Sequence, residues 1–440
     1  MADVLIVYSL VQSPPVATVR DALYAFERHS GARCWYLNLA VRRVPRWLAH
    51  VPFDAVVFQT TLLWDRVNPA TFARHRRKLR RLAGVGRHRV ALPQDEHRCS
   101  RALVDFIAEL GVDHVFSVAP ASEWSALYAG VDRDRVGISQ VLTGYLEANA
   151  LSRIEAIVRQ QPDRPIAIGY RAASVAPSLG RHGQLKSDLA VRVSAACAAR
   201  GIRADIATGA GSTIRGDDWY RFLARCRYAL GVEGGASVHD PSGRLHEASV
   251  RYVAEHRGAS FEEVEASCFP GADGALRYFA ISPRHLEACA TRTAQILIEG
   301  DYNGILRPGE HYLELRRDLS NLDAVLDLVA GDGERARITE NAYRDVVASG
   351  AYTYARFVSE VMSIALAGAS AAPASLRVRA LHRVAALLDR LSWRKVALYV
   401  RVAGALRRAA LRLLPDPALS LLRRVVAGSA AETAALQSAD

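Results

Sequence analysis

The chain has 440 residues, of which 50% are hydrophobic and 23% are charged. This length and composition are typical of a globular protein with two domains and an additional segment. The six cysteines lack metal-site spacing and indicate reduced thiols. The chain starts with an apolar strand pattern where a signal peptide would be basic, and no window offers the roughly 18 uncharged apolar residues of a spanning helix. We therefore expect a cytoplasmic protein.

The net charge of +12 is concentrated near the end of the chain, since residues 376–428 contain twelve Lys and Arg but only two Asp. We predict amphipathic basic helices at 376–391, 393–414 and 418–426, which would bind the anionic surface of the inner membrane as a peripheral contact. A solvated helical hairpin packed on the body is the alternative. Nucleic acid is not expected as a partner because the tail lacks regularly interleaved aromatic residues.

In the first half, short apolar segments alternate with amphipathic ones. The pattern predicts strands at 3–10, 34–39, 55–60, 90–93 and 114–118, with helices at 17–29, 74–82 and 100–110. This alternation is typical of a parallel, doubly wound α/β sheet.

The second half repeats this alternation of strands and helices after a polar helix that we predict at 144–161. Strands are predicted at 165–169, 202–207, 228–232 and 295–298, with helices at 187–200, 219–226, 245–267, 282–293 and 334–366. The sequence thus predicts two Rossmann-like domains and a C-terminal basic helical tail. We place the boundaries at 1–150, 151–335, 336–366 for a crossing helix, and 367–440 for the tail.

A candidate phosphate site begins at Ser282-Pro283, a pair that starts helices well. A helix N-terminus that faces a cleft binds phosphate readily. Arg284 lies in the first turn and suits bidentate contact with phosphate, while Glu287, one turn further on, can accept hydrogen bonds from sugar hydroxyls. We expect this segment to bind a nucleoside diphosphate.

Two further groups follow predicted strands in the second half of the chain. Glu233 comes directly after a strand within Gly-Val-Glu-Gly-Gly, where we expect its carboxylate to face the crevice. Asp301, Tyr302 and Asn303 are expected to border the sugar, although a tight turn explains Asn303 equally well.

In the first domain, Asp95 is our candidate for the base that deprotonates the hydroxyl of a second substrate, which we call the acceptor. His97 is the substitute for Asp95 in this role. Gln12 and Ser13 lie in the first loop and are expected to line the acceptor side. That loop lacks G-x-G-x-x-G, and the chain contains no Walker, G-x-S-x-G or H-E-x-x-H motif. No Asp-x-Asp triplet stands at a strand end, so we expect neither a metal nor a cofactor.

Four segments of the second half resemble bacterial glycosyltransferases of the two-Rossmann-domain type, GT-B, and in particular the group 1 branch that builds envelope polysaccharides. These segments are 230–237, 282–288, 299–304 and 308–312. The resemblance extends over about residues 1–365 and is specific in the second half. It implies a donor site in the second domain, an acceptor site in the first, and a last helix that crosses back to the first domain.

The resemblance also implies roles for single residues. Arg171 and Lys186 match the cations that contact the donor pyrophosphate. Relatives have two glutamates eight residues apart, of which Glu287 matches the second, but Phe279 occupies the place of the first. Glu233 would supply the missing carboxylate if 238–280 is an insertion. Glutamates at the donor favour retention of anomeric configuration.

We therefore expect a metal-independent glycosyltransferase that moves a sugar from a nucleoside diphosphate donor to a hydroxyl of a lipid-linked envelope glycan. Two alternatives stay open. One is a nucleotide-sugar epimerase of the same fold, which would need neither an acceptor nor a membrane tail. The other is a non-catalytic, membrane-docked member of a polysaccharide-assembly complex.

Overall fold

The structure is a computed structural model that describes residues 1–12, 17–173, 175–331, 333–369 and 375–413. The first domain is built on a six-stranded sheet of parallel strands in the order β2-β1-β3-β4-β5-β6. Its strands are β1 (Asp3–Tyr8), β2 (Arg33–Asn38), β3 (Ala55–Phe58), β4 (His88–Ala91), β5 (His114–Ser117) and β6 (Gly137–Gln140). Its helices are α1 (Ala17–His29), α2 (Thr60–Trp64), α3 (Pro69–Leu79), α4 (Ser100–Leu110), α5 (Trp124–Leu127) and α6 (Ala148–Gln160).

The second domain is a five-stranded parallel sheet in the order β13-β12-β9-β7-β8, with a separate antiparallel pair β10-β11. Its strands are β7 (Ile166–Ala172), β8 (Ala204–Thr208), β9 (Cys226–Gly231), β10 (Gly234–Val238), β11 (Asp273–Ala280), β12 (Ala294–Ile298) and β13 (Leu313–Leu315). Its helices are α7 (Gly180–Ala199), α8 (Asp217–Arg225), α9 (Arg244–Glu255), α10 (Phe261–Cys268), α11 (Pro283–Ala290), α12 (Leu322–Val329) and α13 (Gly333–Ala342).

In both parallel sheets, the order in which the chain adds strands reverses beside the first strand of the domain. This switch point lies between β1 and β3 in one domain and between β7 and β9 in the other. A ligand of such a sheet binds in the crevice beyond the carboxyl ends of the strands at this switch point. The predicted fold class, two doubly wound α/β domains with a C-terminal helix, is confirmed.

Helix α7 begins at Gly180, seven residues before the predicted start. Gly180 and Gly183 lower the local helix propensity, so the sequence did not indicate these first two turns or so of the helix. A larger residue does not fit at position 180, because a Cβ there would lie 2.2 Å from both Asp273 Oδ1 and Ser237 Oγ. Lys186 therefore lies inside a long helix instead of just before a shorter one.

Residues 234–280 form a projection from the second domain that we call the arm, made of β10, α9, α10 and β11. The strand pair was not predicted, although helices within 245–267 were. Leu276, Tyr278 and Ala280 of β11 belong to the hydrophobic core of the first domain. The backbone N–H of Cys99 donates to the carbonyl of Asp240 at 2.8 Å. The arm thus joins the two domains.

The stretch predicted as one helix from 334 to 366 is interrupted. After α13, a π-helical turn runs over Tyr343–Ala348, and α14 (Tyr354–Ala365) follows a break at 349–353. Gly350 has a φ of 68°, and the Thr353 side chain caps α14 by accepting from the Arg356 N–H. Val358 and Val361 of α14 lie in the core of the first domain, so the chain does return to that domain.

The last described helix, α15 (Leu376–Leu413), is continuous where two helices were predicted. Ser392 does not interrupt it because its hydroxyl donates to the Leu388 carbonyl at 2.8 Å. One face packs on the first domain, where Asp389 accepts from the Tyr8 hydroxyl at 2.8 Å and Val396 is fully buried. The helix predicted at 418–426 lies outside the described residues. No helix in the described ranges is both long and apolar enough to cross a membrane.

Candidate functional site

A continuous cleft lies at the carboxyl ends of both parallel sheets. Its strand-end cavity, about 640 Å³, is bounded by the ends of β7 and β9, Lys186 and the start of α11. Its interdomain cavity, about 990 Å³, lies between the residues that follow β3 and β4 and the residues of α8 and α11. A middle cavity of about 820 Å³ shares Arg284 with the first and Glu287 with the second. The cleft therefore connects the two domains.

Lys186 is the principal free cation of the strand-end cavity. Within the described part of the chain its ammonium group has neither a hydrogen bond nor an ion pair. Burial and the nearby Arg284 guanidinium together lower its pKa to about 8, and Asp95 from the first domain acts in the opposite direction. A partly desolvated cation that makes no direct ion pair with the described residues is suited to bind an anionic ligand.

This pKa gives the first prediction. The affinity for sulfate, whose charge is constant near neutral pH, should fall about tenfold between roughly pH 7 and pH 9, because Lys186 loses its proton as the pH rises through its pKa. Titration of the protein with sulfate followed by NMR measures the effect. In Lys186→Met the remaining affinity should hardly change over the same range, and an equally steep fall there would show that another group is responsible.

Two arginines accompany Lys186. Arg284 lines both the strand-end and the middle cavity, and one of its N–H groups donates to the Arg171 carbonyl at 3.1 Å. The Arg171 guanidinium donates to Asp205 Oδ1 at 2.8 Å and lies 4.3 Å from the centre of the Phe222 ring. Arg284 is thus placed to contact an anion, whereas Arg171 is engaged with the neighbouring strand. The donor role of both residues stays a prediction.

The start of α11 forms part of the strand-end cavity through Ser282, Arg284 and His285. The Ser282 N–H donates to His285 Nδ1 at 3.0 Å, so His285 occupies the capping position where Glu or Gln is usual. Burial lowers the pKa of His285 to about 3. The imidazole is therefore neutral, and the positive end of α11 faces the cavity.

Glu287 lines the middle and interdomain cavities but is not among the residues that line the strand-end cavity. Its carboxylate accepts from Trp219 Nε1 at 2.7 Å and from the Tyr220 hydroxyl at 3.4 Å. The side chain is held at the centre of the cleft, where its oxygens are within reach of a ligand that extends from one domain to the other.

The expectation that the Glu233 carboxylate faces the crevice is wrong for this structure. Glu233 is 2% exposed, and its Oε1 accepts from the Tyr302 N–H at 2.8 Å. Gly300 permits this arrangement, since a Cβ there would lie 2.4 Å from Glu233 Oε2. Burial raises the pKa of Glu233, opposed by the Tyr302 N–H. A buried carboxylate is stable only when it is hydrogen-bonded, and here it organises the loop after β12.

The loop that follows β12 is a compact turn. Tyr302 is fully buried, and its hydroxyl donates to the Ile298 carbonyl at 2.6 Å. Asn303 has a φ of 55°, and its Oδ1 accepts from the Ile281 N–H at 2.7 Å. Asp301 is exposed. Asn303 therefore has the tight-turn role that was the alternative in the sequence analysis. Asp301, Tyr302 and Asn303 are not among the residues that line the three cavities.

Asp95 lines the interdomain cavity from the first domain. Its φ of 52° is left-handed, which carboxylate and amide residues tolerate better than most. Its N–H donates to the Tyr278 hydroxyl at 2.9 Å, and its carbonyl accepts from Arg66 Nη2 at 2.5 Å. The backbone is thus fixed by the arm on one side and by a buried arginine on the other, while the side chain borders the cleft.

The other acceptor-side candidates lie elsewhere. His97 is 5% exposed, its ring centre lies 5.3 Å from that of Tyr278, and burial lowers its pKa to about 3. It is a neutral residue packed beneath the arm and does not line the three cavities. Gln12 is half-buried and also does not line them, and Ser13 lies outside the described residues.

Sequence reasoning missed several polar residues that the structure places in the cleft. Gln59 follows β3, Gln94 follows β4 and Thr143 follows β6, all at strand ends and all in the interdomain cavity. A polar residue just after a predicted strand was an available signal for Gln94 alone, because Gln59 falls inside the predicted strand 55–60 and no strand was predicted directly before Thr143. Trp219 and Tyr220, which hold Glu287, carried no sequence signal.

One cluster among the described residues has metal-ligand chemistry: Glu310, His311 and Asp345. His311 Nδ1 accepts from the Arg307 N–H at 3.1 Å, which leaves the proton on Nε2, 3.1 Å from Asp345 Oδ2. Arg344 donates to the same carboxylate at 2.7 Å. The cluster is therefore an ion-pair and hydrogen-bond network, and none of its members lines the three cavities of the cleft.

Comparison with protein-family models finds no match, and comparison with curated proteins finds none either. Solved structures are similar over most of the chain. HepE of Anabaena in complex with UDP and glucose is 9% identical, covers 84% of this chain and 100% of its own, and gives a TM-score of 0.46. Sucrose-phosphate synthase from Thermosynechococcus elongatus has the same identity, coverage and TM-score.

An α,α-trehalose-phosphate synthase (UDP-forming) from Burkholderia vietnamiensis is 10% identical, covers 84% of this chain and 98% of its own, and gives a TM-score of 0.41. The structures to which this chain is similar are GT-B glycosyltransferases, the family that its sequence resembles.

Proposed function

We propose that this chain is a glycosyltransferase that moves a sugar from a nucleoside diphosphate to a hydroxyl of a glycan. One observation carries the proposal: the cleft is cationic at its end in the second domain, at Lys186 and Arg284, and carboxylate-lined where it meets the first domain, at Asp95 and Glu287. A diphosphate leaving group requires the first environment, and an attacking hydroxyl is activated in the second.

In this proposal the donor diphosphate lies in the strand-end cavity. Lys186, Arg284 and the positive end of α11 stabilise the negative charge that develops on the leaving phosphate as the bond between the sugar carbon and the phosphate oxygen breaks. Glu287 accepts hydrogen bonds from donor hydroxyls at the middle of the cleft. Two side-chain cations at this point support the further proposal that the reaction proceeds without a metal ion.

The acceptor occupies the interdomain cavity. Its hydroxyl oxygen forms the new bond to the sugar carbon and gives its proton to the Asp95 carboxylate. The polar residues at the ends of β3, β4 and β6 accept and donate the hydrogen bonds that orient the acceptor. The anomeric configuration of the product, for which the resemblance favours retention, can be read from its NMR spectrum.

A membrane-bound acceptor is the further part of the proposal, with the anionic inner-membrane surface as the partner of α15. The outward face of this helix carries an apolar stripe at Val384, Leu387, Leu391, Leu398 and Val402, all of them more than a third exposed. Arg and Lys flank the stripe, and Asp389, the acidic residue of 376–413, is buried on the opposite face. An anionic bilayer matches both the charge and the apolar stripe.

A vesicle experiment tests this part. The variant Leu387→Gln/Leu391→Gln should lower binding to phosphatidylglycerol vesicles by more than about tenfold. Burial of these two leucines in the interface contributes a few kcal/mol to the binding free energy, and the variant loses that contribution. Co-sedimentation measures it, and added salt should weaken binding of the native protein. The control is Val250→Gln, which changes an equally exposed valine of the arm. Equal binding by both variants would contradict membrane contact through α15.

The activity itself is tested by release of nucleoside diphosphate. The full chain is incubated with a panel of nucleotide sugars and a bacterial glycolipid extract, and mass spectrometry follows both the nucleotide and the enlarged glycolipid. We expect release with one nucleotide-sugar family and a glycolipid heavier by one sugar. Binding without any turnover would favour the non-catalytic scaffold, and an isomeric nucleotide sugar formed without an acceptor would favour the epimerase.

A further inference from the structure

A cluster of arginines lies on the surface of the first domain, outside the three cavities of the cleft. We call it the basic patch and define it by five exposed side chains: Arg43, Arg46, Arg74, Arg77 and Arg81. None of these side chains has a hydrogen bond, an ion pair or a ring contact with another described residue. Residues 39–53 and 66–94, which include all five, contain no Asp or Glu.

Three of these arginines share one side of α3 and of the short turn that follows it. Arg74, Arg77 and Arg81 recur at intervals of four and three residues along the chain, a spacing that places side chains together on a helix. Glu109 of α4 pairs instead with the neighbouring side of α3, where its carboxylate lies 3.0 Å from Arg80. The patch therefore keeps its positive charge.

Lys78 joins this side of α3 to the segment that follows β2. Its ammonium group donates to the Leu39 carbonyl at 2.7 Å and to the Arg42 carbonyl at 3.3 Å. Burial and the charges of Arg74 and Arg43 together lower the pKa of Lys78. The arginines of the two segments are thus close enough to form one surface.

The basic patch adjoins α15 through aromatic side chains. The ring centre of Trp35 lies 5.0 Å from that of His382 on α15 and 6.4 Å from that of Trp47, the residue next to Arg46. His382 Nε2 also lies 3.0 Å from the Cys34 carbonyl oxygen, which fixes α15 beside β2. The patch therefore continues the basic surface of α15 onto the folded domain.

An anionic bilayer suits this combined surface better than a nucleic acid. Proteins that bind single strands without sequence preference add aromatic side chains on which bases stack. The described residues 39–50 and 69–82 contain no exposed Trp, Tyr or Phe. The apolar stripe of α15 would also be unused on a nucleic acid, whereas a bilayer offers both anionic headgroups and an apolar interior.

We propose that the basic patch is a second membrane-binding surface, which contacts anionic lipid headgroups while α15 inserts its apolar stripe beside it. This inference rests on the proposed function in one respect, the contact of α15 with the inner-membrane surface. A single helix in the interface can rotate about its own axis, whereas a second contact on the folded domain restricts that rotation. The two surfaces together would fix the orientation of the first domain on the bilayer.

Co-sedimentation of the full chain with vesicles of phosphatidylglycerol and phosphatidylcholine tests the proposal. The variant Arg43→Gln/Arg74→Gln/Arg77→Gln should bind more than about tenfold more weakly than the native protein, because each arginine near an anionic surface adds to the attraction. Added salt should weaken the variant less steeply than the native protein. Its thermal unfolding should be unchanged, since the three side chains are exposed.

A variant of the second domain supplies the matched control. Arg203→Gln/Arg225→Gln/Arg257→Gln removes the same net charge from three exposed positions. Charges act over about 8 Å at physiological ionic strength, so this variant should retain the native affinity to within about twofold. Equal losses in the two variants would show that only net charge matters, and would overturn the proposal.

A charge-preserving variant covers the case in which the glutamine variant does not fold. Arg43→Lys/Arg74→Lys/Arg77→Lys should bind the vesicles as the native protein does, because headgroup attraction depends on charge. Loss of vesicle binding by this variant would overturn the proposal. So would an oligonucleotide that binds through the patch more tightly than the vesicles do.

The inference and the proposed function fail in different ways. Vesicle binding that is lost in Leu387→Gln/Leu391→Gln but native in the glutamine variant of the patch overturns the inference and leaves the contact through α15 standing. Absence of vesicle binding by the native protein contradicts the proposed membrane contact itself. Release of nucleoside diphosphate in detergent solution, which needs no bilayer, tests the transferase activity separately.

Discussion

Replacing Lys186 with methionine is expected to lower the rate of sugar transfer by about 10²–10³-fold, the usual effect of removing one group that stabilises charge in the transition state. Among the residues that the structure describes, the ammonium group has no hydrogen-bond or ion-pair partner at the strand-end cavity, and it would meet the leaving diphosphate. The folded protein should not lose stability. Burial depresses the pKa of this lysine to about 8, so below that pH the folded state contains a charge that is better solvated in the unfolded chain.

The opposite directions of these two effects make the Lys186→Met experiment decisive. Initial rates of nucleotide release give the activity, and thermal unfolding near neutral pH gives the stability. Lys395→Met, on the exposed face of α15, is the matched control and should change neither the rate in detergent solution nor the melting temperature. A variant that is unstable but transfers sugar at the native rate would mean that Lys186 has a structural role.

The largest loss of stability is expected at Glu96. This carboxylate is fully buried and accepts from the Ser117 hydroxyl at 2.7 Å, the Val118 N–H at 3.0 Å, the Tyr128 hydroxyl at 3.2 Å and the Tyr278 hydroxyl at 2.6 Å. Glu96→Ala leaves these donors without their acceptor in a closed space. We expect the free energy of unfolding to fall by about 3–5 kcal/mol, measured by denaturant titration.

Tyr278→Phe isolates the part of this network that joins the domains. It removes one hydroxyl, which donates to Glu96 and accepts from the Asp95 N–H, so we expect a loss of about 1–3 kcal/mol. Sugar transfer should fall as well, because the Asp95 backbone loses a contact that fixes it beside the cleft. An unchanged unfolding curve for both variants would contradict the view that the arm holds the domains together.

The regular parts of the fold could be predicted because their patterns are local. Continuous apolar segments such as Val4–Tyr8 and Ile296–Ile298 are buried on both sides of a parallel sheet, and the sequence marks them directly. The pair β10-β11 was missed because its residues bury their surface against another domain. The dipeptide Gly234-Gly235 is typical of a loop in a sequence. In the structure, however, a Cβ at Gly235 would lie 1.7 Å from the Tyr278 carbonyl oxygen, so strand pairing requires the glycine.

The site could be predicted where the position of a residue in the fold determines which way its side chain points. Asp95 follows a strand, Arg284 and Glu287 lie in the first turns of α11, and all three line the cleft. Lys186 also lines the cleft but lies inside α7, and only the resemblance indicated it. Glu233 satisfies the same rule but is buried, because the N–H groups of the loop after β12 offer its carboxylate hydrogen bonds that no local pattern reveals. The partners of a polar side chain depend on tertiary contacts that sequence spacing does not encode.

Binding of nucleoside diphosphates tests the central claim most directly. Thermal unfolding of the full chain is measured with each nucleoside diphosphate and with the corresponding nucleoside, for the native protein and for Lys186→Met. A ligand that binds only the folded state stabilises it by about 2.7 kcal/mol at a hundredfold excess over its Kd. The account predicts a clear rise in melting temperature with the diphosphates of one base, little rise with its nucleoside, and a much smaller rise in the variant. Equal unfolding temperatures with and without every diphosphate would contradict it.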